Sequence, residues 1–109
     1  MLIDFEKINP EIIKNFKGGE KEALLKIYQD EKNKIIYGTL VPGASIGLHA
    51  HETNSEIIYI LEGKGQILFD GQYQNLNAGI CHYCPKGHSH SLINNSDQNL
   101  IFFAVVPEQ

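Results

Sequence analysis

Glu56-Ile57-Ile58-Tyr59-Ile60-Leu61-Glu62-Gly63-Lys64-Gly65-Gln66-Ile67-Leu68-Phe69-Asp70-Gly71-Gln72-Tyr73 reads as two short runs of β-branched, aliphatic and aromatic residues, each ended by turn chemistry. Glu62-Gly63-Lys64 closes the first run. Asp70-Gly71 closes the second and is the best local hairpin signal in the chain, because a two-residue loop needs residues that tolerate positive φ. The same pattern extends outward. Ile35 to Val41, Ile80 to Cys84, His90 to Asn94 and Leu100 to Val106 are further candidate strands, separated by Pro42-Gly43, Glu52-Thr53-Asn54, Pro85-Lys86-Gly87 and Asn95-Ser96-Asp97. Short strands at intervals of about eight to twelve residues suit an antiparallel sandwich or barrel, not a parallel sheet, so the expected fold class is all-β.

A chain of 109 residues is expected to form one domain, 1–109. The longest apolar run, Leu100 to Val106, is far short of a bilayer span, and no membrane is expected as a partner. Met1-Leu2-Ile3-Asp4-Phe5-Glu6 puts acids where a signal peptide needs basic residues, so a cytoplasmic location is expected. The formal charge of −4 argues against nucleic acid. All nine basic residues are lysine, so no planar bidentate clamp for a carboxylate can be built from this chain. Cys81 and Cys84 are the only cysteines, which agrees with a reducing compartment. Three residues apart on a strand they face opposite ways, with Cα atoms about 10 Å apart, too far for a disulfide.

The first third is less legible. Asn9-Pro10-Glu11 looks like a helix start, which predicts a short N-terminal helix from Pro10 to about Asn15, stopped by Lys17-Gly18-Gly19. Glu20 to Tyr28 fits helix or strand equally well. Ile57 to Leu61 is apolar on both strand faces, so something must cover the outer one. Either the N-terminal segment folds over it or a second copy does, and a homodimer is expected.

His49 and His51 are two apart, and on a strand residues i and i+2 share a face, so both imidazoles can converge on one ion. Glu56 can return to them after the polar turn Glu52-Thr53-Asn54-Ser55. His90 arrives from a distant part of the sequence. Three imidazoles and one carboxylate suit a divalent transition metal, and leave a net positive centre with two free positions if the ion is six-coordinate.

Spacing adds a second argument. Gly43, His49, His51, Glu56 and Gly63 are separated by five, one, four and six residues. Gly79, Pro85, Gly87, His90 and Asn94 are separated by five, one, two and three. These runs, 43–63 and 79–94, match the two signatures of the cupin family at every fixed position, and the sequence resembles a small single-domain cupin. The resemblance implies a double-stranded β-helix, or jelly-roll barrel, with a short N-terminal helix or extension. It also implies that His49, His51, Glu56 and His90 hold the metal, whose identity (Mn, Fe, Ni, Zn or Cu) the donor types leave open. Asn94 is expected to organise a turn.

His82 shares a strand face with Ile80 and Cys84. Facing inward, it becomes an acid/base or supporting candidate and the one catalytic candidate outside the metal set; facing outward, it is a surface or interface residue. His88 is expected in an exposed loop. The leading functional expectation is a metal-dependent oxygenase or isomerase acting on a small oxygen-bearing molecule. The alternative is a non-catalytic module that captures a small anion or sugar on the same metal. Oxalate decarboxylation is disfavoured, because no arginine is available to hold oxalate beside the ion.

Overall fold

The computed structural model describes residues 1–109. Ten strands follow in order: β1 (Glu11–Lys14), β2 (Glu22–Gln29), β3 (Asn33–Leu40), β4 (Ser45–Ala50), β5 (Glu56–Glu62), β6 (Lys64–Phe69), β7 (Gln72–Asn77), β8 (Cys81–Cys84), β9 (Ser89–Ile93) and β10 (Leu100–Pro107). One sheet has six strands in the order β1-β2-β3-β10-β5-β8, and the other has four, β4-β9-β6-β7. After β3 the chain passes back and forth between them: β4 is in the small sheet, β5 in the large, β6 and β7 in the small, β8 in the large, β9 in the small and β10 in the large. That winding is the double-stranded β-helix.

The core lies between the sheets. β10 alternates without a break, turning Leu100, Phe102, Ala104 and Val106 inward. On β5 the inward residues are Glu56, Ile58 and Ile60. Ile46, Ile67, Leu76 and Leu92 meet them from the small sheet. Each such aliphatic or aromatic side chain contributes about 1.5–3 kcal/mol by leaving water. Phe102 fits because its partner on β3 is Gly38, where a Cβ would sit 2.3 Å from the ring. The Asp70-Gly71 hairpin forms with both residues at positive φ, 48° and 81°, as a primed two-residue turn requires.

The N-terminal third differs from expectation in one respect. The segment read as a helix over Pro10 to Asn15 is the edge strand β1, paired antiparallel with β2. Six residues are too few to offset helix nucleation, whereas pairing with β2 satisfies the backbone and places Ile13 against the core. The helical content there is two three-residue 3-10 turns, Phe5–Lys7 and Phe16–Gly18. The ambiguous segment after it is strand β2.

β1 and β2 extend the large sheet at the edge away from β5, so they do not cover its outer face. Phe5 packs on Tyr37 of β3 and Phe103 of β10, at 5.9 and 6.3 Å between ring centroids. Ile57, Tyr59 and Leu61 of β5 and Tyr83 of β8 remain exposed side by side.

Candidate metal centre

β4 and β9 are neighbours, and their register sets His49 opposite His90. The ladder between them is irregular from Ile46 to His49. Ile46 is buried, yet Leu48, which strict alternation would also turn inward, is 60% exposed, and His49 faces the interior instead. The bulge at Gly47-Leu48 re-aims the strand so that the histidines point into the barrel. His51 is pinned just beyond β4: its N–H donates to the His88 carbonyl at 3.0 Å and its carbonyl accepts from the Gly87 N–H at 2.7 Å. Glu56 is the first residue of β5, on the face of Ile58.

These four side chains converge at one end of the core. Glu56 Oε1 lies 2.9 Å from His90 Nε2, 3.1 Å from His51 Nε2 and 4.0 Å from His49 Nε2. His51 Nε2 and His90 Nε2 are 3.0 Å apart. One donor atom from each of the four lies within 4.8 Å of all the others.

The outer ring nitrogens explain the orientation. His49 Nδ1–H donates to the Gly47 carbonyl at 2.7 Å, and His51 Nδ1–H to Asn54 Oδ1 at 2.6 Å. His90 Nδ1 lies 3.0 Å from His82 Nε2, which accepts when the His90 proton is on Nδ1. With each Nδ1–H committed outward, each Nε2 presents a lone pair inward. Three lone pairs and a carboxylate oxygen are then crowded together without a donor among them, an arrangement that a cation satisfies. The residues present fit a divalent metal.

Without an ion, protons on the inward nitrogens take its place. Burial pushes the Glu56 carboxyl up, but hydrogen bonds that His49, His51 and His90 donate when an inward Nε2 carries a proton outweigh it and hold the group well below the usual carboxylate range. The bond to Glu56 raises His51 against the effect of burial, while the Lys17 charge opposes the rise. Burial, followed by the neighbouring His90, pushes His82 down to about 4. A neutral His82 is the form that can accept from His90.

The cluster opens on a cavity of about 290 Å³, at the small end of the range of about 300–1,000 Å³ usual for ligand sites. Phe16, Leu25, Ile36, Ile46, Phe102 and Val106 form its apolar wall. Lys17 and Lys34 border it with His49, His51 and Glu56.

All four expected metal ligands are therefore brought together. His82 faces inward, 8% exposed, between His90 and Phe69, and takes no part in the cavity wall. His88 sits on a loop, half exposed, bonded to Asp70 at 2.7 Å. Cys81 is exposed and Cys84 buried, both free, as their opposed strand faces demand. Sequence reading missed the support. Asn54 holds His51 and is itself fixed by Glu108 Oε1, which accepts its Nδ2–H at 3.1 Å. Gly47 supplies the carbonyl for His49. Gly47 and Asn54 lie only two and three residues from the histidines they hold, whereas Glu108 is 54 residues from Asn54 and nothing local in the sequence signals that contact.

A jelly-roll barrel with a three-histidine, one-glutamate cluster at one end of its core is the defining architecture of a cupin. A cupin domain family model matches residues 36–106, and the chain belongs to the cupin family. It is 36% identical to an oxalate-binding protein of Thermotoga maritima over 97% of this chain and 93% of that one. An uncharacterised protein of Methanocaldococcus jannaschii is 32% identical over 84% of this chain and 73% of its own length. Among solved structures, a predicted oxalate decarboxylase from Thermotoga maritima superposes with a TM-score of 0.94 at 33% identity, covering 100% of both chains. The cupin domain of Schizosaccharomyces pombe Cnp3 shares the fold alone, with a TM-score of 0.81 at 12% identity. No helix is long and apolar enough to cross a membrane.

Proposed function

We propose that this cupin binds a small carboxylate through a divalent transition metal held by His49, His51, Glu56 and His90. The observation that carries the reading is the spacing of the donors. Glu56, His90 and His51 bring their donor atoms to 2.9, 3.0 and 3.1 Å of one another and His49 comes to 4.0 Å of Glu56, close enough for all four to hold one ion. A divalent ion held by these four side chains would attract a ligand with two anionic oxygens, as in oxalate. When bound, the ion supplies attraction for anionic oxygen, since a dication with one carboxylate and neutral imidazoles remains positive. The oxalate-binding relative supports the same ligand class.

His82 acts on this site through His90, as a positioning residue. The apolar wall excludes water from the ligand, and the Nδ1 acceptors keep each imidazole in its metal-binding tautomer. A metal-dependent oxygenase or isomerase would use the same ion, but it also needs an acid or base in reach of the ligand. His82 does not border the cavity, Tyr59, Tyr73 and Tyr83 lie on the outside of the protein, and the titratable side chains that border it beyond the cluster are Lys17, Lys34 and Glu52. Binding is preferred to turnover on the strength of the oxalate-binding relative, and the missing arginine weighs against decarboxylation. Calorimetry with oxalate, before and after metal removal, tests this: binding by the metal-loaded protein only, with no oxygen uptake across diketones, flavonols and hydroxy acids, is expected. Oxygen consumption with any of these would favour the oxygenase.

Two further assignments belong to the proposal. The free, unpaired thiols suit a reducing cytoplasm. The open apolar face of Ile57, Tyr59, Leu61 and Tyr83 suits a second copy of the chain, which can bury the same residues across a two-fold axis. Light scattering should return twice the chain mass of 12.2 kDa, and a mass of one chain at every concentration would remove the dimer.

A further inference from the structure

Resting on the metal-carboxylate reading, the geometry points to a second half of the ligand site: we infer that Lys17 and Lys34 hold the surplus charge of a doubly negative chelating ligand and so select dianions over monoanions. The argument begins with charge. A dication, the Glu56 carboxylate and three neutral imidazoles sum to one positive charge, which a monoanion cancels. A dianion leaves one negative charge over, and in a chain without arginine only lysine can meet it.

Of nine lysines, two border the cavity with the metal cluster. Lys34 lies on β3, two residues before the buried Ile36 and on the same face, opposite Val106 of β10. Lys17 comes from the connection between β1 and β2, a separate part of the fold. Neither has a carboxylate within 4.0 Å, for every ion pair in the protein involves histidine. Two lysines without a carboxylate partner thus border one site in a protein of net charge −4, with Lys17 Nζ over the Phe16 ring at 5.7 Å from its centroid.

Lys17 is also held in place. It adopts a left-handed backbone, φ 55° and ψ 29°, as Asn15 does at φ 53° and ψ 46°, conformations disfavoured for residues other than glycine. The turn persists because its backbone is docked on β4 just before His49. A Cβ on Gly47 would lie 2.1 Å from the Lys17 carbonyl oxygen, and one on Gly19 would lie 2.0 Å from that of Ser45. Glu20 N–H donates to Ser45 Oγ and Ser45 N–H to the Glu20 carbonyl, both at 2.9 Å. Phe16, beside Lys17, packs against the core. A disfavoured turn pinned over the cavity by backbone contact places a cation there deliberately, as strain stored at a binding site does.

The test uses the manganese-loaded full chain and two chelating probes, oxalate as dianion and glycolate as monoanion, followed by calorimetry. In the double variant Lys17→Met, Lys34→Met, oxalate affinity should fall about tenfold or more, while glycolate affinity stays within about twofold. Manganese content should be unchanged, and Lys64→Met, a lysine away from the cavity, should alter neither probe. Unchanged oxalate affinity in the double variant would overturn the inference. Equal losses for both probes would also overturn it, because the lysines would then not be reading charge. If the parent chain holds manganese but binds neither probe, the carboxylate-binding reading itself fails, and the selection falls with it.

Discussion

β9 places a fully buried polar side chain at each end of the barrel, and the two ends are finished in opposite ways. At one end lies Asn94, just past the strand, with no exposure. Its Nδ2 donates to the carbonyls of Leu40 and Gln98 at 2.9 and 2.8 Å, and its Oδ1 accepts from the N–H and Oγ of Ser96 at 3.0 and 2.8 Å. Donors and acceptors balance, and the network closes on itself. At the other end His90, 1% exposed, is satisfied on Nδ1 and faces two lone pairs and a carboxylate on Nε2. One end builds the fold; the other gathers acceptors that a cation would complete. A buried polar cluster is thus a mark of function when its members are all of one kind, not merely because it is buried.

The comparison can be broken from either side. The largest effect is expected at the open end: His90→Ala should weaken metal binding by more than about 100-fold. Circular dichroism of the metal-free variant should match that of the metal-free parent, and unfolding of the variant would show that His90 serves the fold as Asn94 does. Asn94→Ala should do the reverse, costing about 3 kcal/mol of stability by urea denaturation through the unpaired carbonyls it leaves, with manganese affinity of the folded protein unchanged. Loss of metal in that variant would merge the two ends.

How much of this was legible from residue order follows the same division. The four expected ligands and Asn94 sit at the spacings of the two cupin signatures, and the resemblance implied that the four would meet. The direction of His82 could not, because it depends on which face of β8 pairs inward, and that is set by the register of His82 against Ile58 on β5. The bulge at Gly47-Leu48 was hidden for a similar reason: strict alternation from Ile46 would have put Leu48 inside and His49 outside. Lys17 reaches the cavity only because two glycines let separate backbones touch. The helix expected at Pro10 rested on capping preferences that β-pairing with β2 overrode.

A smaller effect sharpens the comparison through pH. His82 has a folded-state value near 4 against an ordinary 6.5, so the unfolded chain takes up its proton first as pH falls. His82 should therefore cost the metal-free protein at most about 3 kcal/mol of stability between about pH 6.5 and 4, while the raised His51 contributes in the opposite sense. Glu56, held low, adds a loss that begins only as pH falls below the ordinary carboxylate range. His82→Gln keeps an acceptor for His90 without titrating, and should flatten the upper part of that pH profile while reducing metal affinity by about tenfold or less. Parallel pH profiles for parent and variant would mean that His82 is not the group responsible.

The most direct measurement is the metal content of the parent chain, by elemental analysis after purification without added metal and again after loading with manganese and desalting. One divalent transition-metal ion per chain is predicted after loading, with metal already present beforehand. A chain that retains no ion under either condition would contradict the account, because three inward lone pairs and a carboxylate would then stand together without the charge that explains them.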